Sequence, residues 1–194
     1  MNRRVILYMS ITAVMALVAA TVQKSPPRLI WNASASVPIG LYSVSPKREY
    51  HVGDLVAAMP RHEIAQFLDH GGYVPAGVPL LKHVAAESGQ TICRNDTQIS
   101  VDGTVIGVAR WRDSRDRELP YWLGCLTLND HQIFLMNTHV PDSFDGRYFG
   151  PFERSTIVGR ARPMWTDDTG NGRFVWHGFN ATGAISQQPE GEKR

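Results

Sequence analysis

The sequence has little excess charge and no cluster of basic residues, which argues against nucleic acid as a partner. Its formal net charge is +2 over 194 residues, and the lysines and arginines are scattered along the chain. Proteins that bind nucleic acid carry a basic face or stripe, so binding of this kind has no electrostatic support here. Charged and apolar residues make up 20% and 43% of the chain, as in ordinary folded domains, which excludes general disorder.

The spacings that common metal and catalytic sites require are also absent. The seven histidines and two cysteines form neither His-x-x-x-His nor Cys-x-x-Cys, so neither a metal site nor any other cofactor is predicted. Gly-x-Ser-x-Gly, the nucleophile turn of α/β-hydrolases, does not occur. There is no internal repeat, and the length predicts a single domain with room for an appendage.

Cysteine is scarce, and the two residues present, Cys93 and Cys125, leave two interpretations open. In an exported protein, a disulfide between them would close a loop of roughly 30 residues and stabilise the fold by about 3–4 kcal/mol. The alternative is a pair of buried free thiols.

Only one long apolar run is present, from Val5 to Val22, directly after Arg3 and Arg4. As a helix it would span roughly 27 Å, just enough to cross a hydrocarbon core. The basic start and the small residues of Val18-Ala-Ala20 fit a cleaved secretory signal equally well. A buried core helix is a third interpretation. We predict that residues 1–23 are a signal or membrane-anchor segment and that the remainder is exported.

The rest of the chain reads as mostly β. Asp102-Gly103 joins two β-like segments and predicts a hairpin. Apolar residues at helical spacing before Gly71-Gly72 predict one short helix, Arg61–Asp69. Gly, Asn, Gln and Glu dominate after Thr166, so residues 167–194 are predicted to form a frayed tail. The predicted strands are Gly40–Val44, Val52–Met59, the Lys82 run, Ile99–Val101, Thr104–Ile106, Ile133–Met136 and Thr156–Arg162.

Two stretches could together form a catalytic site. Asn32–Tyr42 places Ser36 two residues before a proline, on a segment of small residues. Pro79–Ala86 places a single lysine, Lys82, inside an apolar run. Serine needs a base to become a good nucleophile, and a lysine buried among apolar groups can lose its charge and serve as that base. The alternative is a solvated lysine on the outer face of a half-buried strand. The hydrophobic periodicity, taken alone, favours this alternative.

Other residues offer supporting or competing roles. The Ser34 hydroxyl could donate to the oxyanion formed when Ser36 attacks a carbonyl, although small polar residues also simply permit an extended loop. A Ser–His–Asp triad is a competing arrangement. Its possible members are His83, His139, Asp142 and Asp145, and separated residues of this kind can be picked from almost any sequence.

The polar stretch Asn137–Pro151 could complete the lysine site. Within it, Asp145 and Arg147 could pair, and Ser143 could hydrogen-bond the lysine amine and orient it. A surface loop with an idle ion pair is the other interpretation of the stretch.

Taken together, three stretches resemble the type I signal peptidase superfamily, the membrane-bound serine–lysine proteases, and more narrowly its conjugative-transfer branch of TraF-type propilin peptidases. They lie in the family's order and span roughly residues 30–165. The matching stretches are Asn-x-Ser-x-Ser36-x-Pro-x-Gly-Leu-Tyr, Leu-Lys82-His-Val-Ala-Ala-x-x-Gly and Ser143-Phe-Asp145-Gly-Arg147-Tyr-Phe-Gly-Pro.

The resemblance implies a β-rich peptidase domain, here residues 24–166, resting on the outer face of the inner membrane. It implies that Ser36 is the nucleophile, Lys82 the general base and Ser34 an oxyanion donor. Ser143 would be the partner of the lysine, with Asp145 and Arg147 as a supporting pair. Cys93 and Cys125 resemble the cysteines of the conjugative branch.

The implied function is cleavage of an exported pilin precursor, followed in TraF-type enzymes by head-to-tail cyclisation. One departure matters, because the Gly-Asp-Asn-Arg sequence of general signal peptidases is replaced by Met136-Asn-Thr-His139. This replacement disfavours a general signal peptidase that cuts after Ala-x-Ala. A general signal peptidase and a non-enzymatic component of a pilus or secretion channel remain the alternatives.

Overall fold

The computed structural model describes residues 5, 8–15, 28–47 and 49–178. From residue 28 onward the described chain is built mainly of short strands, which confirms the prediction of a mostly-β fold. The elements are β1 (Leu29–Asn32), β2 (Ile39–Ser45), β3 (Leu55–Ala58), α1 (His62–His70), β4 (Leu80–Ala86), β5 (Thr91–Asn95), β6 (Gln98–Val101), β7 (Thr104–Val108), β8 (Gly124–Thr127), β9 (Gln132–Leu135), α2 (Gly146–Phe149), β10 (Phe152–Glu153), β11 (Ile157–Asp167) and β12 (Val175–Trp176).

The strands form two antiparallel sheets. The larger sheet has eight strands in the order β1-β2-β11-β3-β4-β9-β10, with β12 added to β11. The smaller sheet has four strands in the order β7-β6-β5-β8. Apolar residues of β5 and β6 pack with Phe134 and Met136 at the end of β9, so the two sheets share a core there.

Strand β4 lies between β3 and β9 in the larger sheet and is buried on both faces. Leu80 packs into the core cluster beneath α1, while Leu81 packs into the cluster formed by β2 and β11. A strand covered on both faces reads as a continuous apolar run and not as an alternation. The lysine embedded in this run is therefore held inside the protein.

The predicted hairpin and helix are both confirmed. β6 and β7 pair through Asp102-Gly103, whose φ angles of 48° and 81° match a turn with two left-handed residues. α1 buries Ile64 and Leu68 on one face and ends at His70, one residue later than predicted, with Gly71 as its C-cap.

The described residues near both ends of the chain can be compared with the predicted N-terminal segment and the predicted tail. Residues 8–15 are helical, and the rest of the apolar run to Val22, apart from residue 5, lies outside the described residues. Among the described residues no helix has the length and apolar character needed to cross a membrane. Within the predicted tail, β12 pairs with β11, and residues 179–194 lie outside the described residues.

The smaller sheet carries the disulfide. Cys93 of β5 and Cys125 of β8 lie directly opposite each other, and their sulfur atoms are bonded. The interpretation as two free thiols is therefore wrong. The bond closes a loop with a sequence separation of 32 residues that includes β6 and β7.

Replacing both cysteines, as Cys93→Ser with Cys125→Ser, should lower the free energy of unfolding by about 3–4 kcal/mol, because the unfolded chain regains the freedom of the open loop. Urea unfolding of the oxidised parent and of the double variant measures the difference. The double variant should be insensitive to reductant, whereas the parent should be destabilised by it. Equal unfolding midpoints for parent and variant would contradict the expectation.

Candidate active site

The loop between β1 and β2 carries Ser36 and is shaped by one side chain. Asn32 is buried at the end of β1, and its Nδ2 donates to the carbonyl oxygens of Ser34 at 2.7 Å and Val37 at 3.0 Å. Its Oδ1 accepts from the Ser34 backbone N–H at 3.2 Å and from the Ser34 hydroxyl at 3.0 Å. The motif Asn-x-Ser-x-Ser thus encodes a loop folded around its own asparagine.

Ser36 lies half-buried in this loop. Its Oγ is 3.0 Å from Ser34 Oγ, and its carbonyl oxygen accepts from Asn137 Nδ2 at 2.7 Å. The glycine of the same motif, Gly40, has φ of 146°, and a Cβ there would come within 2.2 Å of the Trp165 carbonyl oxygen. Only glycine lets β2 lie this close to β11 and so fixes the strand that follows the serine.

Lys82 is almost completely buried, with 3% of its surface exposed. The interpretation as a solvated lysine is therefore wrong, because β4 is covered on both faces. Its Nζ donates to Ser143 Oγ at 2.8 Å, as the orienting role assigned to Ser143 requires. Burial lowers the pKa of Lys82 from 10.5 to about 8, and Arg147 adds to this shift while Asp145 opposes it.

Asp145 and Arg147 form a buried ion pair and not an idle surface contact. Both side chains are at most 1% exposed, and Arg147 Nε donates to Asp145 Oδ1 at 2.8 Å. Arg147 also donates to the carbonyl oxygens of Asn137 at 2.7 Å and Pro141 at 3.1 Å, and Asp145 Oδ2 accepts from the Asn137 N–H at 3.0 Å. The pair therefore holds both ends of residues 137–141, just before Ser143.

Gly146, which lies between Asp145 and Arg147, is required by close packing. A Cβ at Gly146 would lie 2.5 Å from the ring of Phe134 and 2.8 Å from the Leu135 carbonyl oxygen. The turn that carries Asp145 and Arg147 can approach β9 this closely only with glycine in that position.

Asn137 is a site residue that sequence reasoning missed. Its Nδ2 donates to the carbonyl oxygens of Ser36 at 2.7 Å and Leu81 at 3.2 Å, and its Oδ1 accepts from the His83 N–H at 3.0 Å. One carboxamide thus joins the serine loop to the strand on both sides of Lys82. The available signal was its position directly after an apolar strand, at the start of the polar stretch.

Ser36 and Lys82 line one cavity of about 550 Å³, which we call the lysine cavity. Ser34 and Ser143 line the same cavity, so the structure brings together all four residues of the predicted serine–lysine site. Within the described part of the chain, Ser36 Oγ and Lys82 Nζ are each hydrogen-bonded to another serine and not to each other. Chemically, the cavity places a serine hydroxyl together with an amine whose pKa has been lowered toward neutrality.

Three candidate members of the competing triad, His83, Asp142 and Asp145, have other partners. His83 Nδ1 lies 3.0 Å from Asn137 Oδ1, and burial lowers the pKa of His83. Asp142 pairs with Arg110 at the surface, and Asp145 is committed to its buried pair. Across the described ranges no histidine is hydrogen-bonded to Ser36, so these residues are not assembled as a triad.

The smaller sheet contacts the site through Arg94, which follows Cys93 in β5. Arg94 is 1% exposed, and its Nη1 donates to the Arg147 carbonyl oxygen at 2.7 Å. Trp111 covers the guanidinium, with its ring centre 5.2 Å away. The disulfide-bearing sheet is therefore hydrogen-bonded to the turn that carries the buried ion pair.

Comparison with known proteins shows the family of this chain. Residues 1–165 match the family model described as signal peptidase, peptidase S26. The plasmid transfer protein TraF of Escherichia coli is 32% identical over 150 residues, covering 75% of this chain and 81% of that protein. The conjugal transfer protein TraF of Agrobacterium fabrum is 31% identical over 149 residues, covering 71% and 82%.

A solved structure, that of a signal peptidase I from Enterococcus faecalis, aligns with 60% of this chain and 98% of its own, at 17% identity and a TM-score of 0.35. The family match covers most of the sequence, including all three stretches that carry the site. This chain belongs to the signal peptidase family, peptidase S26, and within it to the branch of TraF conjugal transfer proteins.

Proposed function

We propose that this protein is a serine peptidase that processes an exported pilin precursor for conjugation, with Ser36 as nucleophile and Lys82 as general base. The observation that carries the proposal is the buried amine of Lys82, held by Ser143 in the cavity that Ser36 also lines. The relatives are conjugal transfer proteins, which favours a pilin over the general exported proteome as substrate.

In the first step, neutral Lys82 accepts the Ser36 proton as Oγ attacks the scissile carbonyl carbon. The tetrahedral intermediate collapses to an ester on Ser36, and the leaving amine takes the proton back from Lys82. The developing oxyanion would be met by the Ser36 N–H and the Ser34 hydroxyl. Ser34 now donates to Asn32, so its hydroxyl must rotate to serve this purpose.

In the second step, either water or the amino terminus of the same pilin attacks the ester. Water gives a linear product, whereas the amine forms a new peptide bond, releases Ser36 and closes the chain into a ring. Ring closure requires the amine to be held at high effective concentration while water is kept out.

We further propose that the domain acts in the periplasm at the surface of the inner membrane, where the N-terminal apolar run would direct it. An exposed aromatic patch supports this placement. Trp31, Trp165 and Phe174 contact one another with ring centres 4.8–6.3 Å apart, and Trp176 is 58% exposed beside them. Tryptophan is enriched where proteins meet the membrane interface.

Replacing either central residue, as Ser36→Ala or Lys82→Ala, should reduce processing of the pilin precursor by at least about a thousandfold, because nucleophile and base act as a unit. Immunoblots of donor cells would show the uncut precursor. Ser45→Ala and Lys47→Ala, at exposed positions on the following strand and loop, are the matched controls and should process normally. Full processing of the pilin precursor by Ser36→Ala or Lys82→Ala would contradict the assignment as an enzyme. Normal conjugation without processing would contradict it as well.

The rate should depend on pH in a direction set by Lys82. Because burial lowers the pKa of this amine to about 8, kcat/KM should rise about tenfold per pH unit below that value and level off above it. Initial rates of precursor cleavage by the purified protein between pH 6 and pH 10 measure this. A midpoint near 10.5, or a rate independent of pH, would show that no such amine is the base.

The product distinguishes transfer from hydrolysis. If the pilin amine resolves the ester, intact-mass spectrometry of the mature pilin should find a species lighter by one water molecule than the linear peptide. Tandem spectra should contain a peptide that joins the two former ends. A linear product alone would restrict the activity to hydrolysis and leave the first step untouched.

A further inference from the structure

Ser36 lines a second cavity that the proposed mechanism does not use. Its volume is about 650 Å³, within the range of sites that bind small molecules. Lys82 and Ser143 do not line it, so it is distinct from the lysine cavity. We call it the acidic cavity, and its wall includes Val52, Ile106, Met136, His139, Asp167 and Asp168.

The wall is mainly apolar, and its fixed charges have one sign. Two carboxylates, Asp167 and Asp168, line the cavity, whereas neither lysine nor arginine does. The lysine cavity, in contrast, contains both Lys82 and Asp142. A cavity of apolar wall and negative charge is complementary to an apolar ligand that carries a positive charge.

The two carboxylates differ in their availability. Asp167 is buried and accepts the N–H groups of Asn171 at 3.1 Å and Gly172 at 2.8 Å, so it folds the turn after β11. Asp168 has a side chain 40% exposed; its Oδ1 accepts from the Thr166 hydroxyl at 2.6 Å, and its Oδ2 lies 3.1 Å from His177 Nε2. Since a carboxylate has about four acceptor positions, Asp168 can still receive a cationic donor.

The position of Ser36 between the cavities indicates what each one holds. A substrate carbonyl must sit on Ser36 Oγ, so the chain on one side of the scissile bond runs into one cavity and the chain on the other side into the second. We propose that the acidic cavity binds an extended, apolar peptide segment bearing a cationic nitrogen, paired with Asp168. This inference rests on the proposed function for its purpose, whereas the binding itself needs no catalysis.

The cationic nitrogen could be a lysine or arginine side chain or a free amino terminus. An amino terminus has a pKa of about 7.7–8.0, so near neutrality it is both a cation that Asp168 can hold and, once deprotonated, a nucleophile. In the second case the cavity would hold the amine that resolves the ester on Ser36.

Three synthetic pentapeptides test the proposal by isothermal titration calorimetry on the full chain carrying Lys82→Ala. The first is acetyl-Val-Leu-Lys-Val-Leu-amide, the second has glutamate at the centre, and the third has glutamine at the centre and a free amino terminus. We expect the lysine or the free-amine peptide to bind about tenfold more tightly than the glutamate peptide. The tighter of the two identifies the source of the nitrogen.

Variants locate the site. Asp168→Asn should reduce the difference in affinity between the cationic peptide and the glutamate peptide to less than about threefold. Asp130→Asn, at an exposed carboxylate that lines neither cavity, should leave this difference unchanged. Val52 is 53% exposed, so Val52→Trp can fill the cavity mouth without disturbing the core and should abolish binding. Amide NMR shifts should move at His139 and Ile106 when peptide is added.

Equal affinity for all three peptides, no binding, or shifts confined to Val78 and Leu80 of the lysine cavity would overturn the inference. An unchanged preference in Asp168→Asn would do the same. Failure of the proposed function is detected separately, because it would appear as normal pilin processing by Lys82→Ala, whether or not that chain binds peptide.

Discussion

The buried ion pair of Asp145 and Arg147 is the interaction on which the arrangement of the site depends. Removing two charges from water is costly, and a buried pair often adds no net stability. Here the cost is offset by hydrogen bonds to both backbone ends of the segment between β9 and Ser143. The pair therefore acts mainly as a geometric clamp. Removing one partner would leave an uncompensated charge, at a cost of about 3–5 kcal/mol.

The environment of Lys82 links reactivity to stability. Burial disfavours the ammonium form, which brings the pKa close to the working range of a general base. The same effect weakens the fold at lower pH. Between about pH 8 and pH 10.5 the unfolded chain binds the proton that the folded chain has released, so stability rises with pH across that window. Below about pH 8 the folded protein bears the full penalty of a buried ammonium.

Local features of the sequence predicted much of the fold, and tertiary contacts account for what they missed. The Asp102-Gly103 hairpin and α1 follow from turn chemistry and apolar spacing within a few residues. Strands β5 and β8 were not predicted, because polar Thr91 and Thr127 make the apolar pattern of these strands hard to recognise. The two strands are defined by their pairing with each other and by the disulfide that joins them. The hydrophobic periodicity around Lys82 favoured a solvated side chain. Local sequence does not reveal that β4 lies between two strands and is covered by core residues on both faces.

The candidate site shows the same division. Ser36, Lys82 and Ser143 were found through motifs, because each lies in a stretch with a recognisable composition. Asn137 was not, because its two carbonyl partners are 101 and 56 positions away in the chain and become its neighbours only in the folded state.

That asparagine also has a dynamic consequence. A hydrogen bond tolerates only a few tenths of an ångström of stretching before it weakens. Since one rigid carboxamide holds the backbone beside both the hydroxyl and the amine, thermal displacements of the serine loop and of β4 should be correlated. The separation between Ser36 Oγ and Lys82 Nζ would then fluctuate less than the position of either atom.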